Sequence, residues 1–168
     1  QLAELYADYL RDTYEVSVAY NGDEALEVMS DEFDVVLLDR RMPVVSGNEV
    51  LAEMEERDIE TRVALVTAVN PDFDIIELQI DDYLVKPITR QEIRDTVERL
   101  LTIDEYNERA QVLTAKKLKR NVLEVEKTRA ELQESEEFQR LTEEIETLED
   151  EVENIADQLE AENLQRYI

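Results

Sequence analysis

Short apolar runs alternate with stretches of helical period over the first hundred residues. Leu2, Leu5, Tyr6, Tyr9 and Leu10 recur at helical spacing, whereas residues 14–19 alternate as a strand does, with Val16 and Val18 on one side. Asn21-Gly22-Asp23 reads as a turn, and Ala25, Leu26 and Met29 mark a second helix. Phe33-Asp34-Val35-Val36-Leu37-Leu38 is a buried-strand pattern that runs into Asp39. Pro43 and Gly47 then punctuate a loop, and Val50, Leu51 and Met54 mark a third helix. Val63-Ala64-Leu65-Val66 leads into Thr67 as the next strand, and Pro71-Asp72 opens a shorter helix carrying Ile75, Ile76 and Leu78. Tyr83-Leu84-Val85 leads into Lys86 as the last strand. Thr89 with Glu92 three residues on is a capping-box signal, followed by Ile93, Val97, Leu100 and Leu101. The order αβαβαβαβα predicts an α/β fold, a doubly wound parallel sheet with helices on both faces.

From about residue 104 the texture changes, and neither Pro nor Gly occurs again. Leu141, Ile145, Leu148, Val152, Ile155 and Leu159 step by fours and threes, which is a heptad seam. Leu118, Val122 and Val125 begin a similar seam and Leu132 continues it. The phase slips before Leu141, where Ser135 followed by acids is placed to cap a new helix. The expectation is two domains, 1–101 and 102–168, the second an all-α helical hairpin or part of a dimeric coiled coil. A single bent helix is the alternative. Leu101-Thr102-Ile103-Asp104 is a short apolar linker, so the tail should begin as near-continuous helix.

Charge changes the picture next. Asp and Glu number 44 against 18 Lys and Arg, a formal net charge of −26. With 43% hydrophobic residues a packed core is still expected. The acids are spread along the chain, which fits a surface built for high salt better than an acidic interaction module. Cys and His are both absent, which excludes disulfides, thiolate metal sites, zinc sites built on His and His-based triads. No apolar run approaches the roughly 18 residues of a membrane span. The chain does not start with Met and has no signal peptide, and its start reads as truncated. A cytoplasmic, soluble protein with no membrane partner is expected.

Asp39, Thr67 and Lys86 each close an apolar run. Parallel strands present their carboxyl ends along one edge, so the three side chains should meet. A carboxylate, a hydroxyl and an ammonium in one crevice suit the chemistry of anions, phosphoryl transfer foremost.

Asp39-Arg40-Arg41-Met42-Pro43 with Gly47, then Thr67-Ala68, then Lys86-Pro87, in this order and at strand ends, resemble the receiver domain of two-component response regulators. The resemblance covers residues 1–101 and implies a flavodoxin-like, CheY-like fold. It implies that Asp39 is the phosphoacceptor for a sensor histidine kinase, that Lys86 contacts the phosphoryl group, and that Thr67 swings toward a phosphoryl oxygen. It also implies a cis peptide at Pro87, a tight loop at Gly47, and Tyr83 as the aromatic that turns inward when Thr67 moves. Mg2+ would be held by Asp39 and the Arg41 backbone carbonyl. The plain readings are a Thr67 satisfied by backbone and a Tyr83 that is simply a partly buried aromatic at the sheet edge. The side chains of Arg40 and Arg41 read as solvated.

One departure stands at the front. Receivers begin with a strand that ends in two or three acids, which complete the metal site. This chain starts at Gln1, already inside the first helix, so the remaining acid pair is expected upstream of Gln1. In the strand order 2-1-3-4-5 the absent strand is the middle one. Asp8 and Asp12, on the first helix, are no substitute.

The acidic tail resembles the HalX extension of haloarchaeal response regulators. The whole is then a response regulator switching a helical output region, with self-directed phosphotransfer and no enzymatic activity in the usual sense. A homodimer through the tail is one expectation. DNA is another, resting on Lys116-Lys117-Leu118-Lys119-Arg120 alone. The plain reading of that cluster is a helix face that pairs with nearby acids. The alternative function is a phosphorylation-independent receiver that serves as a coiled-coil scaffold.

Overall fold

The structure is a computed structural model that describes residues 2–42 and 44–167, with side chains through Ala161. Gln1, Ile168 and Pro43 of the 39–47 motif lie outside the described residues. The chain divides into two units, Gln1–Leu101 and Thr102–Ile168.

In the first unit, β1 (Val35–Asp39), β2 (Arg62–Thr67) and β3 (Asp82–Val85) form a parallel sheet in that order. Asp39 stands opposite Val66, and Thr67 opposite Val85. β2 is the middle strand and is buried from Val63 to Thr67, as a parallel strand covered on both faces must be. Its side chains alternate between two cores. Val66 packs with Leu10, Leu84, Ile88, Ile93 and Val97 on one face, while Val63 and Leu65 pack with Leu38, Val50, Leu51 and Met54 on the other. The helices that cover these faces are α1 (Leu2–Leu10), α2 (Gly22–Val28), α3 (Gly47–Glu56) and the first turns of α4 (Arg90–Glu126). This is the doubly wound parallel sheet expected.

Three local expectations need correction. Residues 14–19 form no strand. A strand exists only where its N–H and C=O groups find a ladder partner, and the three-strand sheet holds no neighbour for them. Their alternation is still used, because Tyr14 and Val16 pack against the core that contains Leu10 and Ile93. Asn21 is not a turn residue but the cap of α2, its side chain accepting from the Glu24 amide at 2.9 Å. The short helix after Pro71-Asp72 is a 3-10 helix, Phe73–Glu77, with no buried residue.

The second unit is helical. Leu101-Thr102-Ile103-Asp104 lies inside α4 rather than between elements. Thr128 caps α5 (Arg129–Glu134), and Ser135 caps α6 (Glu136–Tyr167) by accepting from the Phe138 amide at 3.1 Å. Three ion pairs fix the relation of α4 to α6: Arg109–Glu151 at 3.1 Å, Lys117–Glu149 at 2.9 Å and Lys116–Glu144 at 2.7 Å. Seven or eight residues further along α4 the partner on α6 lies seven or two residues earlier, so the helices run antiparallel. The single bent helix is therefore excluded, and within one chain the form is a hairpin. Leu113 and Ile145 are buried between its arms. On α6 the expected seam, Leu141 to Leu159, is turned inward. On α4 it is not. Leu118, Val122 and Val125 are exposed, and the half-buried positions facing α6 include Lys116, Lys117 and Arg120. An acid-rich partner helix recruits the cations of α4 in preference to its aliphatic stripe. The hydrogen bond from Lys116 holds the Glu144 carboxyl below the usual carboxylate range.

Candidate functional site

The sheet continues for one residue past two of its strands. Arg40 N donates to the Val66 carbonyl at 3.2 Å, and Lys86 N to the Thr67 carbonyl at 2.7 Å. These bonds hold Asp39, Thr67 and Lys86 side by side at the carboxyl edge. There the Lys86 Nζ donates to Asp39 Oδ2 at 2.8 Å, and the Arg41 amide donates to Asp39 Oδ1 at 3.0 Å. The Asp39 side chain keeps 39% of its exposure and that of Lys86 20%. An ion pair this open adds little stability, so it is poorly explained as a structural bond. The Lys86–Pro87 peptide is cis.

Gly47 is the first residue of α3 rather than part of a loop. Ser46 caps that helix in a reciprocal capping box with Glu49. The Gly47 amide donates to the Arg40 carbonyl at 2.9 Å, folding the segment after Asp39 back on itself. A Cβ at this position would lie 2.6 Å from the Asp39 carbonyl oxygen and 2.7 Å from the Arg40 Cα. Only glycine lets the helix start so close to the strand end.

Thr67 is 1% exposed and does not point its hydroxyl at Asp39 or Lys86 through a hydrogen bond. Its Oγ1 accepts from the Val69 amide at 3.2 Å. The Val69 carbonyl in turn accepts from the Tyr83 hydroxyl at 2.9 Å. Thr67 and Tyr83 are thus joined through one backbone residue. Arg40 adds a further link, donating to the Tyr83 hydroxyl at 3.4 Å and pairing with Asp74. These two hydrogen bonds, Asp74 first, keep the Arg40 guanidinium even more firmly protonated than usual. Arg40 is therefore a site residue rather than a solvated one. Nothing in the sequence ties it to partners 34 and 43 positions away. Val69 has no sequence signal at all, because only its backbone takes part.

The residues present do not make a magnesium site by themselves. Mg2+ takes an octahedral set of oxygens, commonly one or two carboxylates completed by water and phosphate. Among the described residues no three Asp or Glu gather to hold a metal, and both Asp39 oxygens already have donors. At Arg41 it is the amide that engages Asp39. Asp8 pairs with Arg11, and Asp12 with Arg90 and Arg94. The basic cluster of α4, Lys119 apart, is also committed. Lys116 and Lys117 pair with Glu144 and Glu149, and Arg120 lies 3.9 Å from Glu124. No helix among the described residues is long and apolar enough to cross a membrane.

An open carboxylate fixed at a strand end between an amide and an ammonium can take up an electrophilic phosphoryl group and have the added charge offset. Comparison with known proteins gives the family. The profile of the response regulator receiver domain matches residues 1–98, and that of the HalX domain matches residues 102–167. A Haloferax volcanii protein named as a candidate transcriptional regulator is 54% identical over 88 residues, covering 52% of this chain and 15% of its own length. The transcriptional regulatory protein CiaR of Streptococcus pneumoniae is 37% identical over 98 residues, covering 56% of this chain and 44% of its own length. This chain therefore spans less than half the length of either relative. The response regulator TrrA of Thermotoga maritima, solved in complex with Mg2+ and a beryllium fluoride, superposes with a TM-score of 0.51 at 32% identity, over 60% of this chain and 90% of its own. With its sheet, its strand-end aspartate and lysine, and these matches in agreement, the chain belongs to the response regulator receiver family and carries a HalX domain after its receiver domain.

Proposed function

We propose that this chain is the receiving partner of a two-component phosphorelay. It accepts a phosphoryl group on Asp39 from a sensor histidine kinase and signals through its helical unit. The observation that carries the reading is the Asp39–Lys86 pair at 2.8 Å on the ends of two parallel strands. An Asp39 carboxylate oxygen forms the new O–P bond as the P–N bond to the kinase imidazole breaks. The Lys86 ammonium then offsets the charge of the acyl phosphate. Thr67 is free to exchange its bond from the Val69 amide for one to a phosphoryl oxygen. That exchange loosens Val69, whose carbonyl anchors Tyr83. The event is self-modification rather than turnover of a substrate. The described residues do not complete a ligand set for Mg2+. The relatives' names point to transcription, but three of the four cations suited to DNA are already paired with acids, so we assign the output to contacts of the helical unit.

The test is intact mass after exposure to acetyl phosphate and Mg2+ in high salt, beside Asp39→Ala. One phosphoryl adduct on the parent and none on the variant supports the reading. No adduct on a folded parent removes it. The second reading, a scaffold that works without phosphorylation, then follows, and the observation in its favour is that no three acids gather to hold a metal among the described residues.

A further inference from the structure

The aliphatic stripe on α4 is left without a partner by the hairpin. Leu118, Val122 and Val125 are 61%, 59% and 81% exposed. At about 100° per residue they fall within roughly 60° of one another, on the side away from Arg109, Leu113 and Lys116. The face of α4 toward α6 thus sets Leu113 among cations, and a second, wholly apolar seam faces solvent.

We infer that this stripe is where a second copy of the chain docks, antiparallel, about a two-fold axis between Asn121 and Val122. Charge selects both the occupant and the direction. A chain with a net charge of −26 repels its own copies over most of its surface. Along one edge of the stripe stand Lys119 and, two turns later, Glu126. A two-fold interface requires a patch that complements itself. About this axis Leu118 of one copy meets Val125 of the other, and the two Val122 side chains meet at the centre. Lys119, which makes no ion pair among the described residues, comes within about two residues' rise of Glu126, which lies on the same edge of the stripe. Parallel pairing instead stacks the cation groups on each other and loses that match. The seam spans only about two helical turns, so the dimer is expected to form with rising concentration rather than to be obligate.

The inference does not depend on phosphoryl acceptance, and its test uses no phosphodonor. Sedimentation of the whole chain is followed through a dilution series in concentrated KCl. The mass should climb from 19.7 kDa toward twice that value. Val122→Glu should hold it at the single-chain mass with an unchanged far-ultraviolet circular dichroism spectrum. Because the chain has no Cys, direction can be read by cross-linking. Leu118→Cys chains mixed with Val125→Cys chains should form a disulfide heterodimer, and neither should cross-link to itself. A single-chain mass at every concentration overturns the inference. So does a Val122→Glu protein that still dimerises, or a Leu118→Cys chain that couples chiefly to itself.

Discussion

Gly47 occupies a position where a methyl group would strike backbone, not a movable side chain. The nearest atoms are the Asp39 carbonyl and the Arg40 Cα, the very residues that carry and flank the acceptor carboxylate. Gly47→Ala should therefore cost about 1–3 kcal/mol, as overpacking usually does. It should also disturb Asp39 through its main chain. Denaturant unfolding gives the first effect, and a lower yield of phosphoryl adduct on protein that remains folded gives the second. An unfolding midpoint equal to the parent's would mean the helix can slide away from the strand end. The sequence placed Gly47 correctly beside the site but in a loop. Its role as a helix start depends on Ser46 and Glu49 closing a capping box, a signal that the sequence itself carries. Arg40 was less accessible to such reading, since its partners Asp74 and Tyr83 come from a different helix and strand.

At the scale of elements, what could be read depended on whether an element is specified by itself or by its neighbours. β1, β2 and β3 are short apolar runs, each closed by or leading into a polar site residue, and that pattern marks a strand by itself, most plainly in β2, which is buried from Val63 to Thr67. Residues 14–19 carry strand alternation yet lack a ladder neighbour, and no local pattern reveals that. The α4 seam failed for a related reason. Period alone marks Leu118, Val122 and Val125 as inward, whereas the acids of α6 decide which face turns in. A pairing between elements that periodicity also misses joins β3 to α4. Arg99 pairs with Asp82, and their side chains retain only 11% and 6% of their exposure. Asp82 also accepts from the Tyr83 amide at 2.8 Å, so the strand that carries Tyr83 and leads to Lys86 is anchored at its start. Breaking a buried pair from one side leaves a charge in the interior and costs about 3–5 kcal/mol. Arg99→Met keeps the aliphatic bulk and should lose about that much, read from the guanidinium unfolding midpoint of the whole chain. A loss below about 1 kcal/mol, the range of exposed pairs, would show that Asp82 is rescued by water or by its remaining bonds.

For the molecule as a whole, two electrostatic effects oppose each other in salt. The ion pairs described, most of them at the surface, attract and are weakened by screening. The excess acids repel one another, which strains the compact state, and that repulsion is weakened too. The inventory decides the sign: 44 acidic groups share 18 basic ones, so even complete pairing leaves most of the acids unmatched. The screening length falls from about 10 Å at 0.1 M to about 3 Å at 1 M, shorter than the spacing of most surface charges and comparable to a direct contact. Added salt should thus remove long-range repulsion before it dissolves the close pairs at Lys86–Asp39, Lys116–Glu144 and Lys117–Glu149. The thermal midpoint is expected to rise steadily as KCl increases from about 0.1 M to about 2 M. Urea unfolding at the same salt steps, where the midpoint shifts without a change of slope, would assign the gain to stability rather than to a more compact unfolded chain. A midpoint that falls with KCl would instead show that the close pairs outweigh the excess acids. The acidic surface would then be a matter of dispersal alone, with no bearing on how the fold is held.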